Sequence, residues 1–149
     1  MGTWTAHAAE VLRGAGYRRG GARRAVVEFL GQQECCVSAQ EVHDGLRAAG
    51  RAVGIASVYR VLDLLTELRL VQRVEVGGDV ARYESVDPGG VHHHHLVCDD
   101  CGRVDAFTDD TLERALRRLD RRVAYAVAAH DVTLRGECDD CRAVGSAGR

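Results

Sequence analysis

No lysine occurs among the twenty basic residues of this 149-residue chain, so every side-chain cation other than histidine is a guanidinium. Guanidinium forks suit phosphate and carboxylate. Aromatic residues make up only 5%, which leaves Val, Leu and Ala to build the core. Proline occurs once, at Pro88. No run approaches the roughly 18 apolar residues that a membrane-spanning helix needs, so no membrane role is expected. The opening Met1-Gly2-Thr3-Trp4 has none of the basic-then-apolar layout of a secretory signal. A cytoplasmic location is therefore expected, with the six cysteines as thiols or metal ligands rather than a disulfide framework. The net charge of −2 neither favours nor excludes nucleic acid as a partner.

The chain does have metal donors. His92-His93-His94-His95-Leu96-Val97-Cys98-Asp99-Asp100-Cys101 is answered near the C-terminus by Cys138-Asp139-Asp140-Cys141. Two Cys-x-x-Cys pairs supply four thiolates, the full set of a closed tetrahedral zinc site. Four sulfurs leave no open coordination position, so this site predicts structure and not catalysis. If the histidine run is a strand, His92 and His94 share one face and His93 and His95 the other. Each pair then needs further donors, and Glu113, His130, Glu84 and Cys36 are candidates. His7 and His43 lack comparable partners, and Cys35 and Cys36 read by themselves as small buried hydrophobes.

Two vocabularies divide the chain. Residues 1–86 carry helical periodicity, residues 91–149 carry the metal donors, and Asp87-Pro88-Gly89-Gly90 reads as a hinge. Ala22, Ala25, Val26, Phe29 and Leu30 recur at helical spacing. Ser38-Ala39-Gln40-Glu41 fits a capping box whose helix Gly50 closes. Val58, Val61, Leu62, Leu65 and Leu68 stripe a third helix, with Ser57, Tyr59, Arg60 and Asp63 opposite. Val71–Val76 and Val80–Glu84 read as a hairpin around Gly77-Gly78-Asp79. Helix, short connection, helix, hairpin is the order of a winged helix-turn-helix. A plain small helical domain with a hairpin fits the same pattern. In the second half, residues 92–107 read as two strands around the first cysteine pair. Leu112, Ala115, Leu116 and Leu119 mark an amphipathic helix, and Val132-Thr133-Leu134 reads as a strand. The expected class is α+β: an N-terminal helical domain with a hairpin, followed by a small α/β unit that a four-cysteine zinc site staples together.

Taken in order, several segments resemble the ferric uptake regulator family of metal-sensing repressors. They are Gly16-Tyr17-Arg18 with Arg23, Val37-Ser38-Ala39, Gly54 through Leu62, Tyr83-Glu84, His92 through Cys101, Asp109-Asp110 with Glu113, His130, and Cys138 through Cys141. The resemblance implies an N-terminal winged helix-turn-helix domain, residues 1–86, followed by a small α/β dimerisation domain, residues 91–149. It implies a homodimer on a palindromic double-stranded operator, with structural Zn2+ at Cys98, Cys101, Cys138 and Cys141. It implies a second site at His92, His94, Glu113 and His130, and a sensing site at Cys36, Glu84, His93 and His95. It places DNA contacts on Ser57, Tyr59 and Arg60, with Arg18, Arg19 and Arg23 near the backbone or minor groove. Cys36 stands where iron-sensing members usually have histidine. Ala106 replaces the carboxylate of peroxide sensors, and Val86 and Gln72 depart from zinc-uptake regulators. A thiolate at Cys36 and a histidine at 94 are soft donors that favour zinc over iron(II) as the sensed ion. The alternatives are a peroxide- or other-metal-sensing member, or a zinc-dependent hydrolase. The hydrolase lacks any His-Glu-x-x-His motif, and neither catalytic residues nor a small-molecule substrate are expected.

Overall fold

The computed structural model describes residues 3–147 and divides the chain into two compact units, with the boundary between Val91 and His92. Asp87–Gly90 falls within the first unit.

Four helices and a small sheet make the first unit: α1 (Thr3–Gly14), α2 (Gly21–Leu30), β1 (Val37–Ser38), α3 (Ala39–Ala48), α4 (Ile55–Glu67), β2 (Val71–Val74) and β3 (Arg82–Ser85). Each helix buries one stripe. Trp4, Ala8 and Leu12 of α1, Val26 and Leu30 of α2, Val42 and Leu46 of α3, and Val58, Leu62 and Leu65 of α4 join one core. Spacings of three and four residues put these side chains on one face of each helix. Trp4 adds a polar tie, its indole Nε1 donating to the Leu70 carbonyl at 3.0 Å. The sheet runs β1-β3-β2, all antiparallel, with Val37 opposite Tyr83 and Gln72 opposite Glu84. Gly77 and Gly78 take φ of 89° and 77° in the connection between β2 and β3, a conformation that glycine adopts without a Cβ penalty. The strands end sooner on either side of that turn than alternation alone suggests. The arrangement is a winged helix, with α3 and α4 as the helix pair and β2–β3 as the wing.

The capping box at the start of α3 forms in full. Ser38 Oγ accepts from the Glu41 amide at 3.1 Å, and the Ser38 amide donates to Glu41 Oε2 at 2.6 Å. Arg82 of β3 donates to the same Glu41 oxygen at 3.0 Å, so the cap also fastens the wing to α3.

The second unit contains β4 (His94–Cys98), β5 (Val104–Phe107), α5 (Asp110–Asp120), β6 (Thr133–Gly136) and α6 (Asp139–Ala147). β4 is central, antiparallel to β5 and parallel to β6. A parallel neighbour requires a crossover, and α5 with the chain after it supplies one. Asp109 caps α5 by accepting from the Leu112 amide at 2.7 Å. Among the described residues, Val97 and Cys98 are the only buried hydrophobic side chains of this unit, and α5 buries none. Among the described residues, no helix is long and apolar enough to cross a membrane.

Ser38→Ala removes the acceptor for the Glu41 amide and should destabilise the protein by about 1 kcal/mol. Urea unfolding followed by the helical signal measures this; an unchanged midpoint would show that the cap contributes nothing.

Candidate metal centres and nucleic-acid interface

Cys98 ends β4, Cys101 lies in the turn that follows, Cys138 precedes α6 and Cys141 sits in its first turn. Gly102, at φ 76°, donates its amide to the Cys98 carbonyl at 2.9 Å, and the Cys98 amide donates to the Arg103 carbonyl. That tight turn brings the first two sulfurs together. The parallel pairing of β6 with β4 brings the second pair alongside, with Cys98 opposite Gly136. All four sulfurs lie within 4.8 Å of one another, and no disulfide joins them. Four thiolates at about 2.3 Å from one tetrahedral ion have sulfur–sulfur edges of about 3.8 Å. Cys101 Sγ and Cys138 Sγ are separated by 3.8 Å. The donor set therefore fits a tetrahedral, thiophilic ion without rearrangement.

Local charge is arranged for that ion. Backbone amides of Cys101 and Cys138, with Asp100, pull the Cys98 thiol down to about 6. Its bonds with Cys138 and Cys101 push the Cys141 thiol up. Four thiolates repel one another without a cation, and a divalent ion removes that cost. Arg135 donates to Asp99 at 2.6 Å and Arg103 to Asp140 at 3.0 Å, so arginine–aspartate pairs join the two arms around the sulfurs.

The second cluster stands at the start of β4. His94 Nε2 lies 2.6 Å from Glu113 Oε1, His130 Nε2 lies 3.1 Å from Glu113 Oε2, and His92 Nε2 lies 3.1 Å from His130 Nε2. Glu113 reaches this point from α5 and His130 from the segment before β6. Their donor atoms all lie within 4.8 Å of one another. His94 first, then His130 and His92, hold the Glu113 carboxyl below the usual carboxylate range. Three imidazoles and one carboxylate suit a divalent transition ion. The four residues assigned to this site from the sequence come together.

His93 and His95 form the other pair of the run, with ring centroids 5.0 Å apart. His94 and His95 open β4 and are both buried, and the ring contacts of the run divide it into two sets: His92 and His94 with His130, and His93 with His95. In the first unit, Glu84 is buried and accepts from Gln72 Nε2 at 2.6 Å. Here the structure differs from the sequence reading. The sulfur grouped with the Glu84 carboxylate, within 4.8 Å of it, belongs to Cys35. Cys36, which the sequence reading named, is itself buried at 5% exposure. The two sulfurs are 4.0 Å apart, and the Cys35 contact and burial push the Cys36 thiol up. The resemblance had placed the ligand at Cys36, and spacing alone does not distinguish adjacent residues.

The DNA-contact candidates occupy the surface of the first unit. On α4, Tyr59 is 48% exposed, and Arg60 is exposed with Nη2 3.2 Å from Ser57 Oγ. Arg18 and Arg19 lie in the exposed connection between α1 and α2, and Arg23 in the first turn of α2. Arg23 Nη2 donates to the Arg18 carbonyl at 2.7 Å, and its guanidinium lies over the Tyr17 ring, 5.6 Å from the centroid.

Comparison with known proteins agrees with this geometry. The model of the Ferric uptake regulator family matches residues 14–135. The chain is 36% identical over 132 residues to the Ferric uptake regulation protein of Bacillus subtilis, covering 87% of this chain and 89% of that one. It is 33% identical to its counterpart from Vibrio anguillarum, covering 88% and 87%. Among solved structures, the Vibrio cholerae ferric uptake regulator superposes with a TM-score of 0.75 at 33% identity, over 87% of this chain and 98% of that one. The Pseudomonas aeruginosa regulator with manganese gives 0.69 at 32%, over 86% and 95%.

Cys98→Ser removes one corner of the sulfur tetrahedron. The variant should lose the tightly bound ion, and amides of β4 and β6 should lose their protection from hydrogen exchange while α2–α4 keep theirs. A variant with wild-type metal content and full protection in β4 would show that this site does not hold the second unit together.

Proposed function

The chain belongs to the ferric uptake regulator family of metal-responsive, DNA-binding transcriptional regulators, which are not enzymes, and we propose that it is a repressor of metal-uptake genes acting in a reducing cytoplasm. The observation that carries this reading is one chain holding a winged helix with an exposed Tyr59-Arg60 face and a separate unit with two preassembled donor clusters. The structural ion is Zn2+ at the four cysteines, since a closed sulfur tetrahedron matches its preferences and leaves no open position.

The working form is a homodimer. The second unit leaves Leu119, Tyr125, Val127 and Leu134 exposed at 52%, 81%, 42% and 52%. A unit with so little buried apolar surface of its own gains most of its burial from a second copy. Two winged helices related by a twofold axis then meet a palindromic operator, each placing α4 in a major groove.

The sensed ion takes Glu84 and a thiolate of the Cys35–Cys36 pair from the first unit, and His93 and His95 from the second. Such an ion restrains the pivot at Asp87–Gly90 and lowers the ordering cost of operator binding. Couplings of this kind are typically about 1–3 kcal/mol and reciprocal, so operator DNA tightens the ion by the same factor. A thiolate with two imidazoles suits Zn2+ better than Fe2+, and zinc is the ion we favour. The exchangeable ion is stripped from the full-length protein by mild chelation, with the sulfur-bound ion retained, and buffered Zn2+ or Fe2+ is returned without oxygen. Zinc should switch on operator binding at trace free concentration and iron only far above it. Iron acting at micromolar levels, with zinc needing more, would make this an iron regulator with a thiolate ligand.

Two variant sets resolve the residues. Cys35→Ala should abolish the metal dependence of operator binding while leaving the dimer folded, and Cys36→Ala should lower stability with the dependence kept. The reverse pattern would return the ligand to Cys36. Arg60→Ala should weaken specific binding by about 1–3 kcal/mol if it reads a base edge. An equal loss on unrelated DNA would assign it to phosphate.

A further inference from the structure

Between α1 and α2 the first unit holds a cleft of about 640 Å3 whose residues serve none of the metal centres. Its walls are hydrocarbon: Ala9 and Leu12 from α1 and Val27 from α2. Arginines surround the opening. Arg13, Arg18, Arg19 and Arg23 all line it, and among the described residues none of the four is ion-paired to a carboxylate. The one carboxylate of the lining, Glu28, is already committed, accepting from Arg24 at 2.7 Å and also from Arg51. Arg23 is held in place before any ligand arrives. It bonds to the Arg18 carbonyl, lies over Tyr17 and packs against Gly20, where an added Cβ would stand 3.2 Å from Nη2.

This volume lies within the range of roughly 300–1,000 Å3 typical of small-molecule sites, which combine apolar walls with a few fixed polar groups. Phosphate in a DNA backbone needs the guanidinium groups but has no use for an apolar cavity behind them. A molecule with a hydrocarbon body and one anionic end uses both. A guanidinium already fixed by stacking and hydrogen bonding also loses less freedom on meeting a carboxylate.

We propose that this cleft binds a small amphipathic carboxylate, an aromatic or branched aliphatic acid. Its hydrocarbon part lies between α1 and α2, and its carboxylate meets Arg19 and Arg23 at the opening. The same arginines are the backbone or minor-groove candidates of the DNA-binding reading. On that reading, and only on it, the acid and the operator compete, and the protein takes a second chemical input beside the metal.

Calorimetric titration of the full-length, metal-replete protein with 2-naphthoate tests the site, with neutral 2-naphthamide and inorganic phosphate as controls. The expected result is one saturable site per chain, with 2-naphthamide and phosphate each bound at least about tenfold more weakly. Arg19→Ala and Arg23→Ala should each weaken 2-naphthoate by about tenfold, the scale of one charge-assisted contact. Ala9→Trp fills the cleft from an exposed position of α1 and should abolish acid binding with wild-type helicity and operator affinity. Equal affinity for the amide, equal affinity for phosphate, or wild-type acid binding by a folded Ala9→Trp protein would each overturn the proposal. Should Ala9→Trp unfold, the two arginine variants decide alone: unchanged 2-naphthoate binding in both overturns it. Acid binding without loss of operator affinity would keep the site and remove Arg19 and Arg23 from the DNA interface.

Discussion

A sheet of three short strands with two short helices, of which α5 buries no side chain, cannot hold itself together by the hydrophobic effect. Among the described residues of the second unit only Val97 and Cys98 are buried hydrophobic residues, against the seventeen-residue cluster of the first. The sulfur tetrahedron supplies what burial does not. It closes the 36 residues from 102 to 137 into a loop, fixes β6 beside β4, and thereby sets where His130 arrives. The histidine cluster depends on that register, because His92 and His94 come from the β4 side while His130 precedes β6. An ion held by the four sulfurs would thus help to position the donors of a second cluster. Structural metal affinity is folding free energy in a unit of this kind.

The first unit is built on the opposite principle. Its core draws on all four helices, and its polar features are local and complete: a reciprocal capping box, the Trp4–Leu70 bond, and the Glu28 pairs with Arg24 and Arg51. A rigid scaffold of this sort can present Tyr59 and Arg60 at a fixed spacing. The division of labour follows from the physics. The first unit is stable by packing, and the second, with so little buried apolar surface, is the one that a bound ion would stabilise most.

Legibility in the sequence followed the range of the interactions. Local features were plain. Ser38 and Glu41 three residues apart gave the capping box, Asp109 gave the start of α5, Gly77-Gly78 gave the wing turn, and the two Cys-x-x-Cys pairs gave the sulfur site. Alternation assigned the four histidines to two sets before any geometry. Thin signals were missed. The Trp4, Ala8 and Leu12 stripe of α1 has only three members, the two residues of β1 are too few to show a period, and α6 starts inside the spacer of the second cysteine pair. Long-range features left no local trace. Neither the parallel pairing of β6 with β4 nor the cleft between α1 and α2 has a spacing signature, because each arises where separate elements meet. The Cys35–Cys36 choice was beyond periodicity altogether, since neighbouring residues differ only in which way the backbone turns them.

An ion can regulate only through a difference in affinity between two arrangements of the protein. The four-cysteine site lies wholly within one unit, as does the cluster of His92, His94, Glu113 and His130. Filling either can stabilise that unit, yet neither ion by itself distinguishes one placement of the winged helix from another. The proposed sensing site, with Glu84 and a thiolate from one unit and His93 and His95 from the other, would make that distinction. Parity along the histidine run is what would let one short segment serve both purposes: His92 and His94 stand with Glu113 and His130, while His93 and His95 stand together. On the proposed function, stability and sensing would be carried by different members of the same run, so a change in sensed metal would leave the His92, His94, Glu113 and His130 cluster intact.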